Sequence, residues 1–358
     1  MLHRNAMDGP LAEDGISEVV GFIFILAVVM AGLSLYLLYG VPVQGREVEI
    51  KEMDGVRAWF VDYKTSVDQL WLNSPTVPNN STPYVPLDPS PVIDRLTLYS
   101  ISTGQVTLRH VINAGTAREK GFISRYMPLL APIPASAEVS VRTGDRFTIS
   151  GWRNGTEVLN WNKTPPALVY TSHNNYWLQQ EYYYQLGGVF LRQWDLTGGE
   201  PERVMVVQAP PLSIYPPDAG DTGYQTKAGM VVVNLSAKSG GFGATSPIRV
   251  ETNLSADPIV IEARDKPQPD EFSNVSLTFE GSRQAAQAWS TIFNGTAARS
   301  GLNSNYYITS LSGTTARIDI VGYVRDDHET NPNIHDVQFE ALVAEYHMRM
   351  ENVPTLIE

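Results

Sequence analysis

Between Arg325 and Asp336 the chain reads RDDHETNPNIHD, its densest gathering of side chains able to hold a cation. His328 and His335 offer imidazole nitrogens there, and Asp326, Asp327, Glu329 and Asp336 offer carboxylate oxygens. The spacing matches no metal-binding motif, and oxygen-rich loops between strands are ordinarily solvated turns, so no metal ligand is assigned. Asp218 and Asp221, in PPDAGDTG, form a weaker group of the same kind. A glycosidase needs only two opposed carboxylates, a juxtaposition that a linear sequence does not display. No H-E-x-x-H, G-x-S-x-G, phosphate loop or dinucleotide fingerprint occurs. With 0 Cys, disulfides, thiolate metal sites and cysteine nucleophiles are all excluded. The expectation is a protein without catalytic residues, metal or cofactor.

Charge excludes another class. Asp+Glu number 38 against 26 Lys+Arg, and no basic run occurs. Phosphate binding needs clustered cations, so a nucleic-acid partner is not expected. The Asn-x-Ser/Thr triplet is more informative. It begins at Asn79, Asn80, Asn154, Asn162, Asn234, Asn253, Asn274 and Asn294, in a chain with 19 Asn and 51 Ser+Thr. Chance would give about three such triplets, and they act as glycan acceptors only outside the cytosol. The stretch Ala167 to Gln193 is dense in aromatic side chains. Flat rings can form a sugar-binding face, but an aromatic strand is more often core.

The elements that must carry these residues begin with an apolar run. Val19 to Tyr39 is 21 residues without a charge. At ~1.5 Å per residue it spans about 30 Å, the hydrocarbon thickness of a bilayer. A cleaved secretory signal fits badly, because such signals have a basic head and an apolar core of ~7–15 residues. Here Arg4 stands alone against Asp8, Glu13, Asp14 and Glu18. Arg46, Lys51 and Arg57 follow the run and by the positive-inside rule weigh toward a cytoplasmic C-terminal side. Long domains translocate largely regardless of such charges, and the eight triplets favour the outside.

The sequence Gly15-Ile16-Ser17-Glu18-Val19-Val20-Gly21-Phe22, followed by the apolar run, resembles the N-terminus of archaeal type IV pilin-like proteins, which carry a class III signal peptide. The resemblance implies cleavage by a prepilin peptidase between Gly15 and Ile16, with Ser17 and Glu18 on the mature side. It implies that the apolar helix is retained, first as a membrane anchor and then as the core of a filament built by pilus assembly machinery. Asp14 stands where the family usually has a basic residue, and Glu18 is the third mature residue. The aromatic stretch Ala167–Gln193 resembles, more loosely, a tyrosine-rich strand pair followed by paired glycines in larger members of the same family.

Behind the run, Gly40, Pro42 and Gly45 predict a break at the membrane surface. Met53, Val56, Phe60, Tyr63, Val67 and Leu70 then recur at spacings of three and four, an amphipathic helix over roughly 46–72. It packs either on its own domain, the favoured reading, or against other subunits. Six prolines between Pro75 and Pro91 predict an extended connector. Alternating segments around Thr103-Gly104 and Gly144-Asp145 predict hairpins, and SAKSGGFGATS predicts a turn cluster. A helix is expected over about Ser282 to Phe293, stopped by Asn294-Gly295.

The fold class expected is mainly β: a transmembrane helix and an amphipathic helix, then an antiparallel β-sandwich-like extracellular region with one short helix. Its divisions are a cytoplasmic leader (1–15), a transmembrane or assembly helix (16–40), the amphipathic helix (41–73), the connector (74–91) and a β-rich external domain (92–358). That domain is either single or divided into two lobes near 215–225. The function expected is structural or adhesive, at the cell surface, by anchorage or self-assembly through the N-terminal helix. The alternatives are a tethered surface glycoprotein that never assembles and, behind it, a tethered enzyme acting on glycans.

Overall fold

A computed structural model describes residues 13–73, 107–116, 127, 130–153, 155–194, 203–216, 226–237, 240–244, 247–255, 258–261, 271–321 and 337–352. The proline-rich connector and the His/Asp-rich segment 325–336 lie outside these residues, as do Asp218 and Asp221.

The chain is mainly β behind one long helix. Helix α1 (Glu13–Leu35) runs through a π-turn (Tyr36–Gly40) into α2 (Val41–Leu72). The break predicted at Gly40–Gly45 is therefore a change of helical register. Pro42 has no N–H, and in a regular helix its ring would strike the carbonyl four residues back. The turn just before it is widened instead, with the Val41 N–H bonded to the Tyr36 carbonyl five residues earlier.

Among the described residues eighteen strands follow: β1 (Thr107–Ile112), β2 (Ser136–Arg142), β3 (Arg146–Arg153), β4 (Thr156–Lys163), β5 (Ala167–His173), β6 (Gln179–Gln185), β7 (Gly188–Trp194), β8 (Arg203–Gln208), β9 (Leu212–Tyr215), β10 (Thr226–Ser236), β11 (Gly240–Ala244), β12 (Ile248–Leu254), β13 (Ile259–Val260), β14 (Glu271–Phe272), β15 (Asn274–Glu280), β16 (Tyr307–Ser312), β17 (Thr315–Val321) and β18 (Val337–Asn352). Helix α3 (Arg283–Ser300) lies between β15 and β16. A first sheet runs β1-β12-β18-β10-β9, with β13 and β14 also paired to β18. A second runs β11-β2-β5-β6-β7-β8, and a third β16-β17-β15-β3-β4. Each sheet takes strands from both sides of residues 215–225. The central pair β10–β18 is parallel, a departure from the antiparallel expectation.

Alternation along the strands sends side chains to two cores. One face of the first and second sheets meets the α2 stripe, where Met53, Val56, Phe60, Tyr63 and Val67 pack with Tyr170, Tyr182, Tyr184 and Tyr346. Burying five such side chains contributes on the order of 10 kcal/mol before conformational costs. The opposite faces meet the third sheet and α3. Trp289 is the hub of that core, 5.1 Å from Phe147, 5.2 Å from Phe279 and 5.6 Å from Phe293 between ring centroids.

Three local expectations are corrected. Strands β2 and β3 do not form a hairpin around Gly144-Asp145; they belong to different sheets, and the turn is a corner between them. A Cβ on Gly144 would lie 2.2 Å from both Gln185 Nε2 and the Pro165 carbonyl, so the glycine serves close approach at the corner. Helix α3 starts at the expected cap, with Ser282 Oγ accepting the Ala285 N–H, but runs through Asn294-Gly295. Thr296 and Ala297 continue its buried face, and the stop comes at Gly301, with φ of 70°. Within SAKSGGFGATS, Gly240–Ala244 is an edge strand paired to β2.

Candidate functional site

The exposed part of the helix is the outstanding chemical feature. Fifteen large apolar residues between Val19 and Tyr39 are exposed, among them Phe22, Phe24 and Val28 at 67%, 68% and 69%. This surface, on the order of 10³ Å², exceeds the few hundred Å² usual for the largest apolar patch of a monomer. Among the described residues one helix is long and apolar enough to cross a membrane, and none of its apolar window is covered by the rest of the chain. Gly15, Ile16 and Ser17 lie in the first turns of α1, and Glu18 is exposed just beyond them.

What fixes this helix to the β region is a clamp at the start of α2. The buried Glu49 accepts the backbone N–H of Asn175 on Oε1 at 2.6 Å and that of Tyr176 on Oε2 at 2.9 Å. Both donors lie in the loop joining β5 to β6. Two hydrogen bonds to an ionised acceptor are among the stronger contacts a side chain can make. One turn earlier, Gly45 lies under the Tyr176 ring, where a Cβ would sit 2.3 Å from Cδ2. Arg46 places its Cζ 4.3 Å from the centroid of the Trp177 ring, a cation–π contact. The loop is itself braced: Asn174 Nδ2 donates to the Leu178 carbonyl at 2.8 Å, and Gln179 Nε2 to the Asn174 carbonyl at 2.7 Å. Farther along α2, Tyr63 Oη lies 2.9 Å from Thr252 Oγ1, and Tyr346 Oη donates to the Val67 carbonyl at 2.9 Å. The apolar stripe is thus consumed by the chain's own sheets, as the favoured reading expected.

The clamp escapes the sequence reading because Gly45 is taken for a breaker. The available signal was Glu49 itself. It occupies a stripe position four residues before Met53, where an acid must have partners.

A second cluster sits at the β2–β3 corner. Glu181 is almost fully buried and accepts from Arg142 Nη1 at 3.2 Å, Thr171 Oγ1 at 3.2 Å and Arg192 Nη1 at 2.8 Å. Arg192 also reaches Asp145 at 3.4 Å and stacks on the Tyr183 ring at 4.2 Å. Burial pushes the Asp145 carboxyl above its usual range, against the opposing pull of Arg192. These groups line a cavity of about 110 Å³. Ligand pockets run to roughly 300–1,000 Å³, so this space suits a few water molecules, and the ion pairs serve to hold the corner.

The triplets are distributed unevenly. Asn79, Asn80 and Asn154 lie outside the described residues. Asn162 is exposed at the end of β4, and Asn234 and Asn253 are half-buried in strands. Asn274 begins the central strand β15 with its Oδ1 buried and Ser276 of its triplet buried. Asn294 is exposed on α3, where its Oδ1 accepts from Thr309 Oγ1 at 2.6 Å. Four of the five tyrosines of 167–193 pack in the cores: Tyr170, Tyr182 and Tyr184 against α2, and Tyr183 on the opposite face, while Tyr176 lies in the clamp loop.

No protein-family model, curated protein or solved structure matches the chain.

Proposed function

We propose that this chain is a pilin-like surface protein of an archaeal cell, structural or adhesive in its work. It is held in the membrane, and assembled, through the helix Val19–Tyr39. The observation that carries the reading is the union of two opposites in one helix: a wholly exposed apolar half and a half clamped to its own β region. An apolar surface of that size needs lipid or other helices as cover. The resemblance at Gly15–Phe22 supports a prepilin peptidase and an assembly machine as partners, and the triplets support an external, glycosylated β region behind a short cytoplasmic N-terminus.

The second reading, a tethered glycoprotein that never assembles, is favoured by one specific observation. The apolar stripe of α2 is used internally, so of these two helices α1 alone offers an apolar face to other subunits. Fractionation separates the two. The account expects the full chain to resist alkaline extraction from native membranes and to occur in sheared surface filaments. A chain found in membranes but never in filaments selects the tether. A chain released by alkali overturns both.

A further inference from the structure

The exposed helix leaves the β region beside a second apolar surface, and the two are joined by hydrogen bonds. Tyr36 Oη, at the end of the apolar run, lies 3.3 Å from Gln44 Oε1 and 3.4 Å from the Leu130 carbonyl. Segment 130–134 is tied in turn to the clamp loop. The Ile133 N–H donates to Tyr176 Oη at 3.1 Å, and Asn175 Nδ2 donates to the Pro134 carbonyl at 3.2 Å. Met127, whose carbonyl accepts the Leu130 N–H, is 55% exposed, and Ile133 is 67% exposed. Both side chains are thus largely open, although Ile133 sits in a braced segment.

The level of this surface along the helix is fixed by arithmetic. The apolar run ends at Tyr39, and Gly45 is six residues farther, about 9 Å at the helical rise. A bilayer's headgroup zone adds roughly 5–8 Å on each side of its ~30 Å core. Tyr36 Oη meets Gln44 and the Leu130 carbonyl one residue short of Gly45, and Ile133 is bonded to Tyr176, whose ring covers Gly45, so segment 130–133 sits at the outer margin of the headgroup zone whenever the run fills the core. The residue types suit that place. Tyr36, Tyr39, Tyr176 and Trp177 are the amphipathic aromatics of an interfacial belt, and Arg46 sets its charge over Trp177 at the same level.

We infer that the β region is seated on the bilayer through a second contact, in which the Met127 and Ile133 side chains reach into the headgroup zone. The partner is the lipid surface itself. The seat would hold the external region at a fixed tilt to the membrane and add to the grip of the single helix. This inference rests on the membrane reading of Val19–Tyr39.

Because the chain has 0 Cys, single labels are clean. Full-length Met127→Cys, Ile133→Cys, Val28→Cys and Leu311→Cys, each carrying an environment-sensitive fluorophore, are reconstituted in phosphatidylcholine–phosphatidylglycerol vesicles. Some of the lipid carries a nitroxide near the acyl carbonyl. Side chains seated in the headgroup zone lie within about 10 Å of the quencher and should fall to about half their emission. The expected result is quenching at 28, 127 and 133 and none at 311, an exposed position on β16 of the third sheet. Quenching at 28 with 127 and 133 behaving like 311 overturns the seat and leaves the anchor standing. Absence of quenching at 28 overturns the anchor reading, and the seat falls with it. Shielding of 127 and 133 that grows with protein density but ignores the lipid quencher assigns the surface to a second copy and overturns the seat.

Discussion

Glu49→Ala is the most telling perturbation of the clamp. Glu49 is 2% exposed, and its carboxylate satisfies two backbone N–H groups, those of Asn175 and Tyr176, at 2.6 and 2.9 Å. Alanine removes both acceptors at once. Leaving a fully buried donor unpaired costs about 1–3 kcal/mol, but Asn175 is exposed and Tyr176 half-buried, so water takes over part of the bonding and the loss is about 1–3 kcal/mol for the pair. Lost packing of the Cγ methylene adds to this. Glu49→Gln tests the electrostatic part: it keeps one acceptor oxygen but sets an NH₂ group against the second N–H, for a loss of about 1–3 kcal/mol. Exposed Glu47→Ala is the control, expected within ~0.5 kcal/mol of the parent. The assay is urea unfolding of the full chain in detergent, followed by tryptophan fluorescence, together with amide exchange over 41–50 and 173–178. The account predicts loss of protection in both segments together. Unchanged stability and protection in Glu49→Ala would refute the view that this carboxylate fixes the helix to the β region.

Further outcomes follow from the same geometry. Gly45→Ala should destabilise by about 1–3 kcal/mol despite alanine's ~1 kcal/mol better helix propensity, because the Cβ must displace the Tyr176 ring; urea midpoints measure it. Trp289→Ala, at the hub of the second core, should cost about 3–5 kcal/mol by the same assay. Burial pushes the Glu340 carboxyl from 4.5 up to about 7. Between those values the unfolded chain has released a proton that the folded chain still holds, so this residue's contribution falls as pH rises through the window. Glu340→Gln should therefore gain about 1–3 kcal/mol over the parent at pH 7.5 and nothing at pH 4, read from paired denaturation curves. His110 works oppositely: burial lowers its pKa from 6.5 despite Asp62, so its contribution is lost as pH falls below that value.

The α2 stripe was legible because a period of 3.6 survives whatever the stripe packs against, and the structure buries Met53 through Val67 as the spacing requires. The helix start at Ser282 was legible because a cap is a local contact. The less legible features depended on distant partners. Gly144-Asp145 looks like a hairpin turn, yet Gln185 and Pro165 crowd it into a corner between sheets. Asn294-Gly295 looks like a stop, yet the burial of Thr296 and Ala297 carries α3 past it. Glu49 was passed over for the same reason, since its two donors lie about 126 residues away in the chain and only the fold brings them together.

The mature N-terminus, determined by mass spectrometry on protein from native membranes, tests the central claim most directly. The account predicts a chain that begins at Ile16 and retains Val19–Tyr39. A chain that begins near Gln44, with the apolar helix removed, would contradict it.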